Sequence, residues 1–155
     1  MKRSGPDSWR QCGSSCDGGI VNAVETAIYA RLAGRVELTL LLASASGIYN
    51  LVAPQGAAYP LVIFGLNAGG DENKSPHRSK SLRYLVKAVS QTSLKNAGSI
   101  DVELDTALHG VLLTVTGWTN TWLMRESGDV RYEEIGADGK RYFHAGGIYR
   151  VRLAR

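Results

Sequence analysis

The stretch 51–64, LVAPQGAAYPLVIF, constrains this chain more than any other. Pro54, Gly56 and Pro60 hold a loop that runs straight into Leu61, Val62, Ile63 and Phe64, with Leu66 after Gly65. Proline has a fixed φ and no backbone N–H, so Pro60 can open a strand but cannot sit inside a central one. The run after it is apolar at odd and even positions alike. That pattern predicts a strand covered on both sides, by helices or by another subunit.

The rest of the chain arranges itself around that strand. Upstream, Val21, Val24, Ile28 and Leu32 fall on one helical stripe that Gly34 can end. A second short helix is expected over 36–43, Ser/Gly turn residues over 44–47, and a Pro/Gly loop over 48–59. Strand 61–66 is then the first of the sheet, and the polar residues 67–80, NAGGDENKSPHRSK, read as a long loop. Over 81–91 the pattern alternates: Leu82, Tyr84, Val86 and Ala88 face one way, Arg83 and Lys87 the other. Residues 93–109 carry a helical stripe closed by Gly110. Strands are expected at 111–116, 119–126 and 130–135, with a turn at 127–129 and a hairpin signal at Ala137, Asp138 and Gly139. The last strand lies in 140–155, with Tyr149, Val151 and Leu153 opposite Arg150 and Arg152. The expected fold is α+β, an antiparallel or mixed sheet of about five to six strands with two main helices on one face. Residues 1–19 read as a flexible leader and 20–155 as a single domain.

A chain of 155 residues buries roughly two thirds of its unfolded surface, so one core suffices. Hydrophobic content of 44% and charged content of 21% are ordinary for a globular protein. No apolar run approaches the ~18 residues of a membrane span, so no membrane partner is expected. Lys2 and Arg3 are not followed by an apolar segment, which argues against a secretory signal. Cys12 and Cys16 are too few for a disulfide framework, and a zinc site takes about four ligands.

No catalytic pattern emerges. His77, His109 and His144 are far apart and read as surface or capping residues. Asp101, Glu103 and Asp105 read as the solvated face of a helix, placed where acids suit the dipole. The chain has no GxSxG, HExxH or phosphate-loop motif, and Gly69-Gly70 precedes no helix. No enzyme, metal or cofactor is expected. Trp118, Trp122, Tyr132, Tyr142, Phe143 and Tyr149 read as core or protein-contact residues. Interleaved with Arg125, Arg131, Arg141 and Arg150, they leave open a second reading, stacking on single-stranded nucleic acid. The net charge of +4 is unevenly spread: 73–100 holds six Lys/Arg and no acid, 101–138 eight acids and two Arg, 139–155 five Lys/Arg and no acid. Such blocks suit complementary docking patches or solvated faces that balance in three dimensions.

Taken together, the chain resembles the tail-completion or tail-terminator family of long-tailed bacteriophages, found also in prophages and gene transfer agents. The matching features are the opening helix VNAVETAIYARLAG (21–34), the short helix and turn before Ile48 and Tyr49, and above all APQGAAYPLVIF (53–64). The strand LRYLVKAVSQ, the helix ending in ALHG and the closing strand GIYRVRLAR follow in order. The resemblance implies a virion protein, assembled in the host cytoplasm. It implies a ring, usually hexameric, that caps the head-proximal end of the tail tube, ends tube polymerisation and joins tail to head. Its partners would be copies of itself, the tube protein and a head–tail connector or neck protein, with DNA only passing through the lumen. The candidate interaction residues are Asp71, Glu72, Lys74, His77, Arg78 and Lys80 of the polar segment, with Arg83, Lys87, Arg150 and Arg152 on the strands. Two alternatives stay open: a neck or head-completion connector, and a small basic nucleic-acid-binding domain.

Overall fold

The computed structural model describes residues 15–155. Nine elements follow in order: α1 (Ser15–Ala33), α2 (Val36–Thr39), β1 (Ile48–Asn50), β2 (Leu61–Asp71), β3 (Ser79–Ser90), α3 (Leu94–Leu108), β4 (Thr114–Val115), β5 (Trp118–Ile135) and β6 (Arg141–Ala154). The strands form one six-stranded sheet in the order β1-β2-β3-β6-β5-β4. β1 pairs parallel with β2 and every other pairing is antiparallel, so the sheet is mixed. α3 packs on β3, β5 and β6, and α1 packs on α3, β1 and β4. The α+β architecture with two main helices over a sheet matches the expectation.

The core lies between the helices and one sheet face. Val24, Ile28 and Leu32 of α1 and Ile100, Leu104 and Leu108 of α3 meet Val62, Phe64, Tyr84, Val86, Tyr149 and Val151. Each of these large apolar side chains stabilises the fold by about 1.5–3 kcal/mol on burial. α3 begins where Ser93 Oγ accepts the Asn96 N–H at 3.1 Å, an N-cap worth about 1 kcal/mol. It ends at His109, followed by Gly110 at φ 73°, a left-handed backbone that glycine adopts without strain.

Several boundaries differ from the sequence expectation. Of the expected leader, residues 1–14 lie outside the described residues, and α1 starts at Ser15. The 48–59 loop begins with β1, which makes 61–66 part of the second strand. β1 has only three residues, shorter than any alternation can reveal. β2 is covered less evenly than its apolar run implies: Leu61 and Val62 are buried, Ile63 is half-buried and Leu66 is exposed.

The expected loop 67–80 is mostly strand. β2 and β3 stay paired from Ala68↔Arg83 out to Asp71↔Lys80, and only 72–78 turn the corner. That end of the hairpin is solvent-exposed, so its residues are polar and small although the backbone is extended. The expected strand 111–116 shrinks to Thr114 and Val115, and three strands rather than about four follow α3, because those expected over 119–126 and 130–135 are one strand, β5. The expected turn at 127–129 is not a turn. β5 runs through it, and its pairing with β6 shifts register between Arg125 and Asp129. Such irregularities bend a long strand without ending it.

Candidate interaction surface

Among the described residues no layer covers the sheet face away from the helices, so alternation along the strands decides what it presents. β3 places Arg83, Leu85 and Lys87 there, half-buried, while Leu82, Tyr84, Val86 and Ala88 face the core. β6 places Ile148, Arg150 and Arg152 beside them, through the pairs Arg83↔Arg150 and Leu85↔Ile148. β5 adds Trp122 opposite Arg152, Met124 opposite Arg150 and Tyr132 opposite His144. At one end of this face stands the β2–β3 hairpin tip, where Asp71, Glu72, Lys74, His77 and Arg78 are exposed.

The structure therefore gathers the ten sequence-derived candidates into two adjoining groups, the tip and the open face. Arg152 Nε, 3.7 Å from Glu72 Oε2, links them. Lys80 Nζ lies 3.1 Å from Asp71 Oδ1. The C-terminal residue closes the tip, since Arg155 N–H donates to Arg78 O at 2.9 Å and Arg78 N–H to Arg155 O at 3.3 Å.

Much of the basic charge is already engaged. Arg83 Nε donates to Glu126 Oε2 at 2.7 Å, and Arg150 Nε lies 3.3 Å from the other oxygen of the same carboxylate. Lys87 Nζ donates to Tyr132 Oη at 2.9 Å. The guanidinium of Arg152 sits 5.9 Å from the Trp122 ring centre and that of Arg155 6.0 Å from Trp118. Trp122 and Tyr132 are exposed, so aromatics here are partly capped by the chain's own cations. Tyr149 belongs instead to the core.

Glu126 escaped sequence reasoning because it sits in an acidic block whose partners lie far away in sequence. Asp101, expected on a solvated helix face, is corrected too. Arg125 reaches back to α3 and donates to both its oxygens, at 2.9 and 3.0 Å, to Asp129 Oδ1 at 2.8 Å and to Gly146 O at 2.8 Å. Burial works against the Arg125 charge, but these carboxylates hold its pKa above the ordinary arginine value. Gly147 makes this possible, because a Cβ there would collide with the Arg125 side chain.

The histidines divide. His77 is exposed at the tip, and His109 Nδ1 accepts the Arg125 N–H at 3.2 Å, a capping role. His144, expected at the surface, is buried under the Tyr132 ring, which stacks on it at 4.3 Å. Burial lowers its pKa, as does the Lys87 charge; Glu134, with Oε2 3.2 Å from His144 Nε2, pulls the other way.

Among the described residues no group of His, Cys, Asp and Glu has the geometry of a metal site. No helix among them is long and apolar enough to cross a membrane. The cavities are open and shallow. One of about 170 Å³ on the outer face is lined by Leu51, Ile63, Gly65, Leu85 and Lys87. Another lies between α1 and β1, where Glu25 accepts a hydrogen bond from Asn50 at 2.6 Å. What this arrangement offers is a broad amphipathic surface with a charged tip, chemistry suited to holding another macromolecule.

Comparison with known proteins bears on the fold and the family. The solved structures include 18 matching chains. One is a chain of the virion of a native gene transfer agent particle, at TM-score 0.73 and 15% identity, covering 88% of this chain and 98% of that one. A second solved structure matches at TM-score 0.52 and 10% identity, over 86% of this chain and 93% of the other. At such identities the likeness is one of fold. No curated protein matches in sequence. The model of the family "Tail completion protein gp17" matches residues 26–151, from α1 to within the last strand. The chain therefore belongs to the tail completion protein gp17 family and is a structural protein of a phage-type virion tail.

Proposed function

We propose that this protein forms a ring on the head-proximal end of the completed tail tube, where it stops tube growth and presents a surface to the neck of the capsid. The observation that carries the reading is the tail-completion family match across nearly the whole folded domain. The outer face and hairpin tip support it, because a capping ring needs one surface for its own copies and another for the tube. No bond is made or broken in this role, and no cofactor takes part. The hexameric state, the tube protein and a neck protein as partners belong to the same proposal.

In this reading Lys74, His77 and Arg78 reach toward the tube, since all three are exposed at the hairpin tip. Co-sedimentation tests the partner. The protein should pellet with polymerised tail-tube subunits and not with tailless capsids. Pelleting with capsids alone would move it to the neck, and steeply salt-dependent retention on single-stranded DNA alone would favour the nucleic-acid reading.

A further inference from the structure

We propose that copies of this chain join edge to edge, the stretch 66–71 of β2 in one copy pairing antiparallel with the stretch 129–135 of β5 in the next. The partner is a second copy of this chain; the proposal rests on the ring reading only for the number of copies.

Both stretches are sheet edges that the fold leaves open. β1 covers β2 only as far as Phe64, whose carbonyl accepts the Leu51 N–H at 2.8 Å. Beyond it, no backbone group among the described residues pairs with the outer side of 66–71. At the opposite edge β4 pairs with β5 only at Trp118 and Thr119. The end of α3 then takes over, with Gly110 N–H donating to Leu123 O at 2.8 Å and His109 Nδ1 accepting from Arg125 N–H. Beyond that, residues 129–135 pair, among the described residues, only with β6. An unpaired edge is a template for another strand, and one chain carrying two of similar length can satisfy each with the other.

Direction and size agree. β2 and β6 run the same way and β5 runs opposite, as the antiparallel pairings require. Rotation about a ring axis preserves strand direction, so β2 of one copy meets β5 of the next antiparallel. The contact is heterologous, the kind that closes into rings. The β2 edge is small, with Ala68, Gly69 and Gly70, whereas the β5 edge carries the exposed Tyr132 and Ile135. The β5 edge holds Asp129, Glu133 and Glu134 against one cation, Arg131. The β2 stretch itself carries Asp71, with Glu72 beside it, and the cations Lys74, Arg78 and Lys87 lie beyond its two ends.

Register adds a geometric condition. Tyr132 is level with His144, Val89 and Leu61, while Ala68 is level with Arg83, Arg150 and Met124. The two open edges are thus offset along the strands, by ~20 Å at the usual rise per residue. Joining them across a four-strand repeat ~19 Å wide makes the strands lean ~45° to the ring axis, close to the tilt at which closed sheets settle.

Disulfide trapping tests the joint. In the full chain with Cys12→Ser and Cys16→Ser, one protein carries Ala68→Cys and another Glu134→Cys or Tyr132→Cys, two positions on one face that span the register. Mixed and oxidised at high concentration, they should give heterodimers at least about tenfold above a Lys95→Cys plus Glu134→Cys control, because pairing raises the local thiol concentration. The Ala68→Cys/Glu134→Cys double variant should give a ladder ending at one closed size. Heterodimers at the control level, or Ala68→Cys homodimers in preference, would overturn the proposal. A ladder from a protein that leaves tubes uncapped would sink the capping function and keep the joint; capped tubes without a ladder would do the reverse.

Discussion

Arg83 of β3 and Arg150 of β6 face each other across the sheet and share one carboxylate, Glu126 of β5, at 2.7 and 3.3 Å. Two like charges directly opposite would repel; the shared anion turns the pair into a clamp on three strands. Glu126→Gln should lower stability by about 1 kcal/mol, the scale of partly exposed ion pairs. Adding Arg83→Gln should recover part of that loss. Urea midpoints of the unsubstituted protein and the two variants check this, and equal midpoints would mean that Glu126 balances nothing.

A stronger effect is expected at Arg125, which ties α3 to the sheet. Arg125→Met leaves Asp101 without its paired hydrogen bonds in a mostly buried setting. The expected cost is about 2–3 kcal/mol, less than for a fully buried pair because Asp129 keeps contact with water. Asp101→Asn should cost less than Arg125→Met, since the amide still accepts one hydrogen bond. Thermal unfolding distinguishes them.

The backbones of β3 and β6 approach closely at Gly146. A Cβ there would run into the Val86 carbonyl and stand 2.6 Å from Lys87 Cα. Backbone cannot rotate away as a side chain can, so Gly146→Ala should cost about 1–3 kcal/mol. Gly70→Ala, with open space around its Cβ position, should change stability little. Denaturant midpoints that match for the two would contradict the close approach.

Alternation made the central strands legible from sequence. Leu82, Tyr84, Val86 and Ala88 against Arg83 and Lys87 is a period that only a one-sided sheet face produces, and Tyr149, Val151 and Leu153 against Arg150 and Arg152 repeats it. The helical stripes of α1 and α3 were readable for the same reason. What alternation could not carry was pairing. β1 is too short to show a period, and the outer half of the β2–β3 hairpin is exposed, so nothing forces apolar residues into it. Ser127, Gly128 and Asp129 resemble a turn, but whether they end a strand depends on β6, a partner the local sequence does not contain. Charge behaved likewise. The basic and acidic blocks were visible, yet the Arg83–Glu126 and Arg125–Asp101 pairs join residues 43 and 24 apart and balance part of that charge within one copy.

His144 gives the fold a pH dependence. Burial and the Lys87 charge lower its pKa below the ordinary 6.5. Between the folded and unfolded values the unfolded chain binds more protons, so this contribution is fully present above about pH 6.5 and is lost as pH falls toward the folded value. Stability should drop between pH 7.5 and 5.5, and the drop should be smaller in His144→Gln. Glu134→Gln removes the group that opposes the shift and should steepen it. An unchanged slope in both variants would place the acid sensitivity elsewhere.

The central claim is that this protein caps tail tubes. Negative-stain imaging of purified tail-tube subunits polymerised with and without it tests that claim most directly. The account predicts tubes that stop growing and carry a ring at one end, with capping weakened when Lys74 and Arg78 are both changed to Glu. Tubes that grow to unaltered length with bare ends, at protein concentrations well above that of tube ends, would contradict it.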